Sequence, residues 1–159
     1  MADELSNGRT CRTDRAVELF NSGYNCAQAT LCAFADKVDI DEKALRRIAS
    51  AFGGGMSGTR GTCGAVTGML MALGLIKGYD DVLDAAHKQR LYAEGRELIE
   101  AFEREFGTAV CGELTSTVAP KFKEAPHPLV ACHGNCRACS AFVAYAVSIL
   151  EVKLNETNE

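Results

Sequence analysis

Apolar residues recur at three- and four-residue steps along nearly the whole chain, and period-two alternation with β-branched residues is almost absent, so the pattern predicts an all-α fold. A first helix is expected from Thr13 or Asp14, carrying Ala16, Val17, Leu19 and Phe20 up to the Asn-Ser-Gly break that ends at Gly23. A second follows from Asn25 to Ala35. A third, capped near Asp41, places Ala44, Leu45, Ile48, Ala51 and Phe52 on one stripe.

The glycine-rich run GGGMSGTRG, from Gly53 to Gly61, then leads into a helix from Thr62 to Leu75. The longest helix is expected from Asp80 or Asp81 to Phe106, with Leu91, Gly95, Leu98, Ile99, Phe102 and Phe106 inward and Gly107 as its stop. All three prolines fall between Thr108 and Pro128, which reads as a connection with a single helical turn near Glu113. A final helix from Asn135 to Val152 turns Cys139, Phe142, Val143, Ala146, Ile149 and Leu150 inward. No internal repeat or linker interrupts the pattern. The expectation is one bundle of about six helices over residues 13–152, with a Gly-rich loop leading into a cysteine-bearing helix, between tails at 1–12 and 153–159.

Composition narrows the function. A chain of 159 residues can bury ~70% of its unfolded surface without disulfides. Its 17 basic and 21 acidic residues, net −4, leave no broad basic surface, so no nucleic-acid partner is expected. The start MADELSNGRT lacks the basic and apolar regions of a signal peptide, and GMLMALGLI is too short to span a bilayer. A cytoplasmic location away from the membrane is the expectation. Eight cysteines in such a chain favour metal-binding or catalytic thiols over disulfides, although any single one could equally be core filler.

Cys63 has the most informative setting. The glycine run delivers it to a helix start, where free amides and the helix dipole favour the thiolate. Gly54, Gly55, Gly61 and Gly64 would let the backbone approach a bound group and donate N–H bonds to sulfur. A tight interhelical turn is the other reading of the same glycines.

Four blocks carry a family resemblance. These are Leu19-Phe20 with Gly23-Tyr24-Asn25-Cys26-Ala27-Gln28-Ala29, the stretch FGGGMSGTRGTCGAVTGMLMALGL from Phe52 to Leu75, FGTAVCGEL from Phe106 to Leu114, and Cys139 at the last helix. They resemble the redox-active family named for a cysteine, a Gly-Cys-Ala-x-x-Gly segment and two further cysteines. The resemblance spans Arg15 to Leu150 and implies that Cys26, Cys63, Cys111 and Cys139 form the site. Four thiolates are what an iron–sulfur cluster requires. Here Cys63-Gly64-Ala65-Val66-Thr67-Gly68 transposes cysteine and glycine relative to the family's name, and a one-residue shift turns a side chain by ~100° on a helix. Cys63 remains a ligand candidate if it lies in the loop before the helix.

The run Cys132-His133-Gly134-Asn135-Cys136-Arg137-Ala138-Cys139 offers further donors in Cys132, Cys136 and His133. Its C-x3-C-x2-C spacing matches the cluster motif of radical enzymes dependent on S-adenosylmethionine, but those resemble much larger α/β barrels. Cys136 and Cys139, or Cys63 with a distant cysteine, could instead act as a thiol–disulfide pair. A helical interaction module with structural zinc or buried cysteines is the third reading. No Cys-x-x-Cys-His occurs, since position 129 is Leu, which excludes c-type haem attachment. Cys32 is expected in the core and Cys11 exposed without a partner. His87 and His127 are expected in solvent, and Glu94, Glu97 and Glu100 on the solvated side of the long helix. An unidentified redox protein is the expected partner, and small residues at Gly68, Ala72 and Gly74 suit a homodimer.

Overall fold

The computed structural model describes residues 11–133 and 137–156, with backbone alone for residues 131–133. The described chain is all-α. Its helices are α1 (Arg12–Asn21), α2 (Cys26–Cys32), α3 (Glu42–Ala49), α4 (Gly64–Lys77), α5 (Ala85–Phe106), α6 (Cys111–Glu113), α7 (Lys121–Glu124) and α8 (Ser140–Glu156). Short 3-10 turns at Ala35–Lys37, Ser50–Phe52 and Pro128–His133 link them.

Most helix starts follow from local chemistry. The Asn25 side chain accepts from the Gln28 N–H while the Gln28 side chain accepts from the Asn25 N–H, a reciprocal cap that starts α2. Asp41 and Asp84 cap α3 and α5 through the N–H groups of Ala44 and His87. Gly107, with φ +85°, closes α5 in the left-handed conformation expected of glycine there.

Helices α1 and α8 pack together, as do α2 and α4, and α8 also reaches α4, α2 and α5. Between α5 and α8 lies an aromatic cluster in which Phe106 packs 4.9 Å from both Phe102 and Phe142. The inward face foreseen for α5 holds: Gly95, Leu98, Phe102 and Phe106 are buried, with Leu91 and Ile99 packed at the edge. At α3 the stripe is narrower than expected. Leu45 and Ala49 are buried, whereas Ile48 is 53% exposed, because α3 rests on α2 along one edge only.

Several boundaries move. Helix α5 starts at Ala85 because Asp84 provides its cap, and α8 starts at Ser140 and continues to Glu156, past the expected tail boundary at residue 153. Helix α1 begins at Arg12, inside the expected tail, with the Cys11 sulfur accepting the Asp14 N–H at 3.4 Å. The segment after Phe106 is more helical than one turn: α6 widens into a π turn over Leu114–Val118, followed by α7. There the hydroxyls of Thr115, Ser116 and Thr117 donate to the carbonyls of Cys111, Gly112 and Glu113, each four residues back.

His127 is also not in solvent. It is 8% exposed, with Nε2 2.9 Å from a Glu105 carboxylate oxygen and its ring packed against Phe106, Phe122 and Tyr145. His87 is half-buried, its Nε2 2.7 Å from the Lys77 carbonyl. Glu97 and Glu100 are exposed, while Glu94 is half-buried and takes the Lys77 ammonium on both carboxylate oxygens. Among the described residues no helix is long and apolar enough to cross a membrane.

Candidate functional site

Cys26, Cys63, Cys111 and Cys139 leave the chain at four separate helix starts. Cys26 is the first residue of α2 and Cys111 the first of α6, while Cys63 is the cap residue of α4. The Cys139 carbonyl accepts the N–H groups of Phe142 and Val143, which places Cys139 at the head of α8. Cys63 therefore precedes the helical turn, and the transposition in its motif does not swing its side chain away.

Backbone bonds bring the segments together. Thr62 and Val110 form an isolated antiparallel bridge; beside it the Cys63 N–H donates to the Ala109 carbonyl at 2.8 Å and the Cys111 N–H to the Gly61 carbonyl at 2.6 Å. Asn25 donates to the Ser50 carbonyl at 3.0 Å, which ties the start of α2 to the end of α3. Glycines then remove the bulk that would keep the sulfurs apart. A Cβ at Gly64 would collide with the Cys26 sulfur and lie 3.1 Å from the Ala27 nitrogen; one at Gly55 would lie 2.6 Å from the Cys111 Cβ. One turn along α4, a Cβ at Gly68 would lie 2.7 Å from the Ala27 carbonyl oxygen. Gly64 and Gly68, four residues apart, thus form the strip on which α2 approaches α4.

Most of the loop from Gly53 to Gly61 is left-handed. Gly54, Gly55, Met56, Ser57 and Gly58 have consecutive φ values of 63°, 69°, 65°, 50° and 76°, and Arg60 has 65°. Non-glycine residues hold this conformation at a cost of about 1–3 kcal/mol each, and such strain clusters at functional sites. Hydrogen bonds within the loop impose it: Gly58 N–H to Gly53, Arg60 N–H to Gly54, and Gly61 N–H to Gly55. The Gly61 N–H is consequently spent inside the loop, contrary to the expectation that it would face a bound group.

Electrostatics links the four thiols. Cys63 is 4% exposed, and its pKa is pushed up to about 12, first by burial and then by Cys26 and Cys111; the N–H groups of Ala65 and Val66 pull the other way. The helix start thus acts on Cys63 in the expected direction, but burial outweighs it. Cys139 is raised to about 11, again by burial first, then by Cys26 and Cys111, while Arg137 and Arg60 lower it. Cys63 and Cys139 therefore both feel the charge of Cys26 and Cys111. Among the described residues, no group of three or more His, Cys, Asp or Glu side chains closes tightly enough to hold a single metal ion.

The remaining cysteines divide. Cys32 is 1% exposed in the core, as expected, and Cys11 is exposed. Cys136 lies outside the described residues, and Cys132 and His133 are described by backbone alone. The sequence reading missed two residues. Arg60 places a guanidinium nitrogen 4.0 Å from the Cys111 sulfur, and Arg137 stacks on Phe20 at 3.9 Å while donating to the Phe20 carbonyl at 2.9 Å. A shared clue was available, since each arginine lies two or three residues before a candidate cysteine.

Comparison with known proteins bears on the family of the chain. No solved structure matches the chain. An uncharacterized protein of Archaeoglobus fulgidus is 36% identical over 62 residues, which cover 38% of this chain and 41% of that protein, so the match spans about two-fifths of the relative's length. The family model described as "Putative redox-active protein (C_GCAxxG_C_C)" matches residues 24–152, a span that contains all four cysteines and the glycine loop, and the chain belongs to that family.

Proposed function

We propose that Cys26, Cys63, Cys111 and Cys139 hold an iron–sulfur cluster and that the chain transfers electrons through it. The observation that carries this reading is the meeting of four thiols from four helix starts beside Gly55 and Gly64, where a Cβ would fill the space. The donor set fits: thiolates are the cluster's usual ligands, and a cluster needs sulfurs spread more widely than one ion does. When bound, the cluster would supply a centre that takes up and releases single electrons.

The chain's own residues would do the rest. The four cysteines hold the iron, and the N–H groups of Ala65 and Val66, already directed at Cys63, offset its negative charge. Gly55 and Gly64 keep the backbone close. Burial of Cys63 and Cys111 excludes water from one side. Anaerobic purification or reconstitution should yield iron and sulfide with a visible absorption that Cys63→Ser alters. Absence of both elements, or a spectrum indifferent to that change, would overturn the proposal.

A second reading is thiol–disulfide exchange, supported by the mutual influence of Cys63, Cys139, Cys26 and Cys111. A reversible disulfide among the four with a defined reduction potential, in protein free of iron, would select it.

A further inference from the structure

Gly68 and Ala72, which by sequence suit a homodimer, are spent inside the chain: a Cβ at Gly68 would lie 2.7 Å from the Ala27 carbonyl oxygen, and Ala72 is buried. A different surface faces outward. Helix α5 is 22 residues long, and Gly95, Leu98, Phe102 and Phe106 are its buried residues. At ~100° per residue, its outer side carries Lys88, Tyr92, Arg96, Ile99 and Glu103 within about 40° of one line. Tyr92 is 53% exposed, with the Lys88 ammonium 5.5 Å over its ring. Alongside, between α4 and α5, a groove of about 310 Å³ runs over Leu70, Leu73, Leu91 and Ile99, and Tyr92 and Arg96 stand at its exposed edge.

The charges on this line have a direction. Lys88 lies near the start of α5 and Glu103 near its end, the reverse of what the helix dipole favours. Lys88, Arg96 and Glu103 are exposed, and no ion pair among the described residues includes them, whereas Glu94 and Glu97 on other sides of α5 are taken by Lys77 and Lys153. Turned end for end, the line is its own complement. Lys88 and Glu103 each stand three residues from an end of α5, and Tyr92 and Ile99 each stand seven.

We propose that this face of α5 is the interface of a homodimer, with a second copy of the chain lying antiparallel on it across a two-fold axis. Lys88 of each copy meets Glu103 of the other, so the same ion pair forms at both ends of the contact. Between them Tyr92 of each copy packs on Ile99 of the other and covers its groove. The contact uses roughly 22 Å of each helix. Charge fixes the direction: a parallel alignment would set Lys88 against Lys88 and Glu103 against Glu103. The apolar middle supplies the attraction, since Tyr92 and the leucines of the groove lose their contact with water. The interface does not depend on what the cysteines hold.

Sedimentation of the full-length chain over a concentration series up to roughly 100 μM tests this, with circular dichroism to confirm that each variant is folded. The parent chain should dimerise. Lys88→Glu and Glu103→Lys should each weaken the dimer about tenfold or more at low salt, because each variant sets like charges together at both ends. An equimolar mixture of the two variants should regain the parent affinity, since one chain then presents only acids at these positions and the other only bases. Tyr92→Ser should weaken the dimer at low and high salt alike. A chain that stays monomeric throughout the series, a dimer indifferent to both charge reversals, or a mixture no tighter than its separate components would overturn the proposal. A monomer that takes up an apolar dye in a Tyr92-dependent way would do the same and assign the groove to another kind of partner.

Discussion

Gly64 leaves no room for a side chain beside Cys26: a methyl group there would occupy the space of the Cys26 sulfur. The glycine of the motif is thus a packing requirement of its cysteine. Gly64→Ala should lower thermal stability by about 1–3 kcal/mol through overpacking and reduce iron incorporation. Gly74, on the same helix, has nothing within 4 Å of a built Cβ, so Gly74→Ala should be neutral or stabilise by up to about 1 kcal/mol. Equal losses in the two variants, measured by thermal unfolding, would contradict the assignment.

Thr30 lies one turn after Cys26 and packs its Cβ against Gly68, and its buried hydroxyl has no hydrogen-bond partner among the described residues. Thr30→Val keeps the shape and removes an unpaired donor and acceptor. An increase in stability of about 1 kcal/mol is expected in denaturant unfolding. A loss of similar size would mean that the hydroxyl is paired in solution.

Cys32 contributes to the alkaline limb of stability, beside Cys63 and Cys139. Burial, and after it Glu42, raises its pKa from 9.0 to about 11, with Arg46 and Arg15 opposing. The folded state therefore holds this proton more tightly than the unfolded chain does. The resulting stabilisation is fully present below pH 9 and is lost as pH rises toward 11, at a slope of about 1.4 kcal/mol per pH unit. Cys32→Ala should flatten that decline relative to the parent chain. Parallel stability curves between pH 8 and 11 would refute the shift.

Arg12 joins three elements: it donates to the Ala33 carbonyl at 2.6 Å, pairs with Asp36 and Glu151, and lies 5.0 Å over the Phe34 ring. Arg12→Met should cost about 1–3 kcal/mol, mainly from the carbonyl bond and the ring contact. Asp36 is 63% exposed, so Asp36→Asn should cost under about 1 kcal/mol. The carboxyl of Asp36 is held below its usual range by Arg12, so its contribution is present above the unfolded pKa and fades as pH falls through the folded one. A larger effect of Asp36→Asn than of Arg12→Met in urea unfolding would reverse this ranking.

What the sequence disclosed divides along a physical line. The cap at Asp41 and the stop at Gly107 act over one helical turn, so residue types at short spacing announced them. The bridge between Thr62 and Val110 joins positions 48 residues apart by backbone bonds alone, with no side-chain signature to read. Cys63 shows both regimes at once. Its place at a helix start was legible from the glycines, whereas the direction of its pKa was not, because burial under distant segments decides it. Helix α8 was placed five residues too early because the cysteine run preceding it has helical spacing.

The same bridge makes α4 and α5 an excursion that leaves the cysteines and returns to them. With a rise of about 1.5 Å per residue, the end of the 14-residue α4 lies roughly 20 Å from Cys63. Val82 and Leu83, at that remote bend, are 90% and 87% exposed. New chain termini, or a reporter domain, could be introduced at this bend while the paired backbone at Thr62 and Val110 keeps the thiols in register.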